Sequence, residues 1–362
     1  MEKNSSSGPG FDTKTSYEKW LETEGIEVIT GYYIRDVMKV PLKPWKRKGG
    51  FGALINLEGA GQTNDGYVCE ISPRESLRPQ KHLFEELIFI LEGRGATTIW
   101  NEGGTKRSFE WESGTLFSTP LNTWHQHFNV QGNKPARYLA VTTAPSVINL
   151  FHNLDFVFRN PFVFEDRYNS EEDYFGGQGK YHPGRTGSIW ESNFIKDVYS
   201  FQLKDWAERG ATGKTINFEL ANNTLCAHIS EFPVGTYKKA HRHGPGAHVM
   251  ILSGKGYTLM WKEGMPFTRC DWQAGSLLVP PDQWFHQHFN TGETSARYLA
   301  LRWEGMKYRT GRKTELVAVS VKKGGDQVEY EDEDPAVRKM FEEDLAKEGI
   351  EIKMPPVVRK GS

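Results

Sequence analysis

His125-Gln126-His127-Phe128-Asn129 returns 161 positions later, residue for residue, as His286-Gln287-His288-Phe289-Asn290. The match extends outward on both sides. Gln80 to Asn129 aligns without a gap to His241 to Asn290, and 18 of these 50 pairs are identical. His82 falls on His243, Gly93 on Gly254, Trp100 on Trp261, Gly114 on Gly275 and Pro120 on Pro281. After a one-residue slip, Ala136-Arg137-Tyr138-Leu139-Ala140 returns as Ala296-Arg297-Tyr298-Leu299-Ala300. A period this long marks a duplicated domain, because solenoid repeats run only roughly 20–50 residues.

Each copy is patterned as short strands. Leu87-Ile88-Phe89-Ile90-Leu91 stops at Glu92-Gly93-Arg94-Gly95, and Ala96-Thr97-Thr98-Ile99-Trp100 stops before Gly103-Gly104. β-Branched and aromatic runs punctuated by glycine predict antiparallel strands, and many of them in one copy predict a sandwich or barrel. Helix signals lie outside the copies. Tyr17, Trp20 and Leu21 share a face over Ser16 to Glu24, with Gly25 as a stop. Asp334-Pro335 opens a second segment with Val337, Met340, Phe341 and Leu345 at helical spacing, closed by Gly349. The division that follows is an N-terminal arm (1–50), a first barrel (51–145), an aromatic-rich connection (146–215), a second barrel (216–306) and a C-terminal extension (307–362). The first ten or so residues are expected to be disordered, and the connection is expected to pack down rather than hang free.

Composition narrows the function classes. The chain has 362 residues, a charged fraction of 25% and a net charge of −1, so no charge field marks a nucleic-acid or membrane binder. No apolar run is long enough for a transmembrane helix and no secretory signal is read at the N-terminus, so a cytoplasmic protein is expected. Cys69, Cys226 and Cys270 are too few and too scattered for a disulfide framework or a thiolate cluster, and are read as reduced packing residues.

The chemistry concentrates in the second copy. His241 and His243 are two apart on an extended segment, so their side chains share a face. His286 follows the Pro281-Asp282-Gln283 turn at the start of another strand. If the two segments are neighbours, three imidazoles meet inside the barrel. Three neutral imidazoles suit borderline metals, and a three-ligand site leaves positions open for substrate. The competing reading is that all three are satisfied core histidines. By strand alternation His248 points away from the metal, with a ligand role as the alternative. His288, two beyond His286, faces inward as an acid/base candidate or as a structural hydrogen bonder like its repeat partner His127. Arg297 is a candidate clamp for a substrate carboxylate, or an outward salt bridge like Arg137. The repeat-paired Trp100 and Trp261, and Trp111 and Trp272, are read as core.

Gly235, His241, His243 and Gly254, then Gly275, Pro281, His286 and Asn290, resemble the two sequence motifs of the cupin superfamily. The first copy resembles the second motif closely. The resemblance covers about residues 51–145 and 216–306 and implies an all-β fold, two tandem cupin (double-stranded β-helix, jelly-roll) barrels with short flanking helices. Ala247 stands where the motif has glutamate. His241-Arg242-His243 followed by that alanine resembles the gentisate and 1-hydroxy-2-naphthoate dioxygenases, ring-cleaving bicupins whose iron is held by three histidines. Their filled site lies in the N-terminal barrel, whereas the full triad here lies in the C-terminal one. In the first copy Gln80 replaces the first histidine, while His82, Glu86 and His125 keep their spacing. That set is read either as a second metal site or as a vacant barrel with Glu86 bonded to His82.

The function expected is a non-haem Fe(II) dioxygenase acting with O2 on a small chelating substrate, such as an aromatic hydroxy acid. Mn, Ni, Cu or Zn are alternative metals. A neutral donor set keeps the site near the ion's own charge, which favours an anionic chelate. A metal-dependent isomerase, lyase or decarboxylase, or a non-catalytic binding bicupin, are the alternatives, since the fold does not choose among them. A homo-oligomer is expected.

Overall fold

A computed structural model describes residues 12–184, 187–308 and 314–357. The expectation of N-terminal disorder falls almost wholly outside these residues. The chain is all-β with two barrels, each built from one large and one three-stranded sheet. In the first barrel the large sheet runs through Gly50–Ile55, Asp65–Ile71, Ala136–Thr142, Glu86–Glu92 and Leu116–Thr119. The small sheet orders Trp124–Asn129, Arg94–Trp100 and Arg107–Glu112. The second barrel repeats this with Lys214–Leu220, Cys226–Phe232, Ala296–Arg302, His248–Ser253 and Leu277–Leu278 against Thr268–Gln273, Lys255–Trp261 and Phe285–Asn290.

Strand parity assigns each residue to one of two cores. In Glu86–Glu92, Ile88 and Ile90 belong to the interior of the first barrel, while Leu87 and Phe89 belong to a cluster shared with the second. In Ala296–Arg302, Tyr298 and Ala300 point inward, and Leu299 and Leu301 join the same shared cluster. The large sheets are therefore covered on both faces, which is why their strands read as unbroken apolar runs. Among the described residues the three cysteines are free and buried.

Each barrel also receives a strand from the segment preceding the other. Tyr33–Ile34, in the N-terminal arm, pairs with Leu277–Leu278 of the second barrel. Phe194–Ile195, in the connection, pairs with Leu116 and Phe117 of the first. The reciprocity is carried by sequence: Ile34-Arg35-Asp36-Val37 and Ile195-Lys196-Asp197-Val198 stand at the same offset of 161. Val37 N donates to Gly275 O and Val198 N to Gly114 O, both at 2.9 Å. The duplication thus reaches further back than the gapless block in which it was first read.

Helix α1 (Ser16–Glu24) begins at a Thr15–Glu18 capping box and ends on Gly25 in the left-handed region. Its Tyr17, Trp20 and Leu21 close the interior of the first barrel. Helices α2 (Ala144–Phe151) and α3 (Leu154–Arg159) follow that barrel's last strand. Helix α4 (Pro335–Glu348), capped by Asp334 and Gly349, lays Val337, Phe341 and Leu345 on Tyr257, Leu259 and Phe289 of the second barrel. Among the described residues no helix is long and apolar enough to cross a membrane.

Candidate metal centre and cavity

His241 and His286 are brought together by backbone pairing. They form an antiparallel bridge outside the named strands, with His241 N donating to His286 O at 3.1 Å and His286 N to His241 O at 2.8 Å. His243 then falls on the same side by two-residue periodicity. Ring centroids lie 4.1 Å apart for His241 and His286, 4.7 Å for His243 and His286, and 5.4 Å for His241 and His243. One nitrogen from each ring lies within 4.8 Å of the others. Burial keeps the rings neutral: it lowers His241 and His286 well below the usual imidazole value and His243 to about 4. His243 Nδ1 donates to Gly244 O at 2.7 Å, so its Nε2 keeps the lone pair. At His241 the guanidinium of Arg209 donates to Nδ1.

His241 and His243 of the triad line a cavity of about 350 Å³. Arg209, Lys238 and Arg302 line it beside His228 and Ser230. Arg209 also holds Gln327 Oε1 at 2.8 Å, and although burial lowers it to about 10, it stays charged at neutral pH. Arg302 Nε is buried at the wall without a partner. Ala247, where a fourth ligand would stand, leaves open space beside the histidines.

The polar lining of the cavity sits at positions where the two copies differ, so the repeat carries no signal for it. At the offset of 161, Arg209 replaces Lys48, His228 replaces Tyr67, Ser230 replaces Cys69 and Lys238 replaces Leu77. Identical pairs mark what both barrels need to fold, and these unlike pairs mark what only the second barrel carries.

Three of the expected residues, Arg297, Gln80 and His288, take other roles. Arg297 has the parity of Leu299 and Leu301, so it points out of the barrel. It pairs with Glu231 at 3.0 Å and donates to Val198 O and Phe201 O, which makes it a strut for the exchanged segment rather than a carboxylate clamp. Gln80 pairs its backbone with His125, at 2.9 and 2.8 Å, as His241 does with His286, but its side-chain oxygen accepts from Arg47 at 3.1 Å. His288 lies behind His286, outside the cavity lining. Its Nδ1 faces Thr258 Oγ1 at 2.8 Å, to which Trp272 also donates, and His127, Thr97 and Trp111 repeat that arrangement. His248 points to the inter-barrel side against Gly66.

In the first barrel His82, Glu86 and His125 do converge. His82 Nδ1 donates to Phe84 O at 2.8 Å and His125 Nδ1 to Thr123 O at 3.1 Å, leaving both Nε2 atoms as acceptors. Those two Nε2 atoms and Glu86 Oε2 are buried without hydrogen-bond partners, 3.8 and 3.9 Å apart, so Glu86 is not bonded to His82. Two imidazole lone pairs and one carboxylate oxygen aimed at a common point fit a divalent metal. Burial opposes ionisation of Glu86, but Lys48 at 3.9 Å and the neighbouring histidines hold its carboxyl well below the usual range. The adjoining space is only about 10 Å³ and is walled by Tyr17, Trp20 and Tyr67, so this cluster has no room for a substrate.

With this geometry in hand, the chain can be set beside known proteins. Residues 67–142 match the Cupin domain family. No curated protein sequence matches the chain. Among solved structures, a formate complex of oxalate decarboxylase from Lactobacillus farciminis aligns at TM-score 0.52 and 13% identity, over 86% of this chain and 97% of that one. Oxalate decarboxylase of Bacillus subtilis, studied for its Mn(II) centres, aligns at TM-score 0.50 and 15% identity, over 92% and 90%. At such identities the likeness is one of fold. The fold is that of two cupin-type jelly-roll barrels in tandem, with the family match itself confined to the first.

Proposed function

We propose that this bicupin is a metal-dependent enzyme that cleaves a small anionic substrate in the C-terminal barrel, with decarboxylation or lyase chemistry as the leading reaction class. The observation that carries the reading is the joining of the His241–His243–His286 triad to a cavity lined by Arg209, Lys238 and Arg302. The bicupin decarboxylases of similar fold lend it support, and Mn(II) joins Fe(II) among the metals proposed. His241, His243 and His286 would hold the ion, which would supply Lewis acidity to a chelated carboxylate or carbonyl.

The remaining chemistry belongs to the chain. Arg209 and Arg302 attract and orient an anion in a partly enclosed site, where charge interactions are stronger than in water. Tyr298 and Ser230 offer hydroxyls in the cavity wall. The enclosure limits water at the reacting carbon. His288 is held by Thr258 with its ring centroid 5.6 Å from that of His286, and its part would be one of positioning.

A specific observation favours a second reading, O2-dependent cleavage of an aromatic hydroxy acid: the triad has no carboxylate, since Ala247 takes that place. The two readings part on oxygen. Protein loaded anaerobically with Fe(II) or Mn(II) is expected to release CO2 from oxalate or another small carboxylate without consuming O2. Uptake of O2 with gentisate, salicylate or hydroxynaphthoate, and no anaerobic turnover, would establish the dioxygenase instead. His243→Ala is expected to remove one metal equivalent per chain and all turnover. Unchanged metal content in that variant would overturn both readings.

A further inference from the structure

Lys238 is an amine in an unusual place. Its side chain is 2% exposed, yet it lines the cavity of the second barrel. Its partners are hydroxyls, Ser230 Oγ and Tyr298 Oη at 3.4 Å, and the faces of Phe232 and Tyr298 lie 5.4 and 5.1 Å from its Nζ. The first barrel has Leu77 at the corresponding position, so the jelly roll does not need an amine there to fold. Arg209 and Arg302 face the same space with charges suited to a carboxylate.

We propose that Lys238 is a nucleophilic amine that forms an imine with a small oxo acid whose carboxylate is held by Arg209 and Arg302. The nitrogen lone pair attacks the carbonyl carbon and the C=O π pair moves to oxygen. A proton passes from nitrogen to that oxygen, and the carbinolamine loses water to give C=N. Tyr298 and Ser230, both in contact with Nζ, are placed to carry protons in these steps. The state required is the free amine. Burial, and after it the charge of Arg209, lower Lys238 well below the usual ammonium range. A carboxylate with an adjacent or next-but-one carbonyl satisfies the guanidinium and the amine together, which a simple carboxylate does not. The inference stands on the cavity and not on the metal, so it holds or fails apart from the reaction class proposed above.

The test is reductive trapping on protein stripped of metal with a chelator. Full-length protein is incubated with pyruvate or acetoacetate, reduced with borohydride, and mapped by peptide mass spectrometry. One reduced adduct at Lys238 is expected, in excess over every exposed lysine, and its formation should be competed by a simple carboxylate such as acetate. Lys238→Leu, which copies Leu77, should keep its melting temperature and metal content and lose the adduct. No adduct, or adducts spread over surface lysines with none at Lys238, would overturn the proposal. The wild-type map decides this even if the variant fails to fold.

Discussion

A neutral imidazole has one ring-nitrogen lone pair, and at His241 that lone pair faces Arg209. A cation and this guanidinium therefore compete for the same ring, while the same guanidinium favours an anion in the cavity. Arg209→Met should tighten metal binding to the C-terminal barrel by about tenfold or more, because it removes both the competing donor and a like charge. It should also raise KM for an anionic substrate about 10- to 100-fold, the loss of a charge-assisted hydrogen bond of roughly 1.5–3 kcal/mol. Titration calorimetry with Mn(II) and steady-state kinetics read the two effects separately. If both affinities fall together, Arg209 supports the barrel rather than setting its charge.

At the level of strands and loops, the barrels are locked by exchange. Tyr33–Ile34 and Phe194–Ile195 each leave their own barrel to extend the other's sheet. The lock is tight at Gly59, where an added Cβ would lie 2.1 Å from Val279 O of the second barrel. That atom and Pro280 O at 2.7 Å are backbone, not the end of a flexible side chain, so the backbone itself must give. Gly59→Ala is expected to cost about 1–3 kcal/mol, read as a lower urea midpoint at unchanged slope. Glu85 adds to the lock by accepting from Thr224 N and Leu225 N, both at 2.9 Å. None of this was legible in the gapless repeat. The short Ile-x-Asp-Val echo is visible once the offset is known, but the partner strands are not, because pairing between residues 77 to 245 positions apart leaves no local pattern.

For the molecule as a whole, the shared cluster joining Leu87, Phe89 and Leu116 to Met250, Leu277 and Leu299 makes the barrels a single cooperative unit. Calorimetry should show one unfolding transition for the metal-free protein. Two resolved transitions would mean that the shared face contributes little. Acid should weaken this unit. His248, 0% exposed at the seam, is lowered from 6.5 to about 4 by burial. Between those values the unfolded chain binds the proton and the native state does not, so stability falls as pH drops through the window. The contribution of His248 is up to roughly 3 kcal/mol at 1.36 kcal/mol per pH unit. Urea midpoints for His248→Leu should lose that part of the acid limb, and an identical limb in wild type and variant would place the effect elsewhere.

The sequence alone determined the duplication, the all-β class and the spacing of His241, His243 and His286. Each is written in short-range periodicity: two-residue alternation, a turn proline, a glycine stop. It also carried both terminal helices, whose caps and apolar stripes are local. The tertiary structure decided which face of each strand looks into a barrel and which looks at its twin. That choice sent Arg297 outward as a strut, turned the Gln80 side chain to Arg47 and left His288 behind the triad. It also gathered Arg209, Lys238 and Arg302 from three separate segments around one cavity. The physical reason is range. A ligand pair two residues apart is held by one extended backbone, whereas the charge lining a cavity comes from strands whose adjacency depends on sheet order and on packing between barrels.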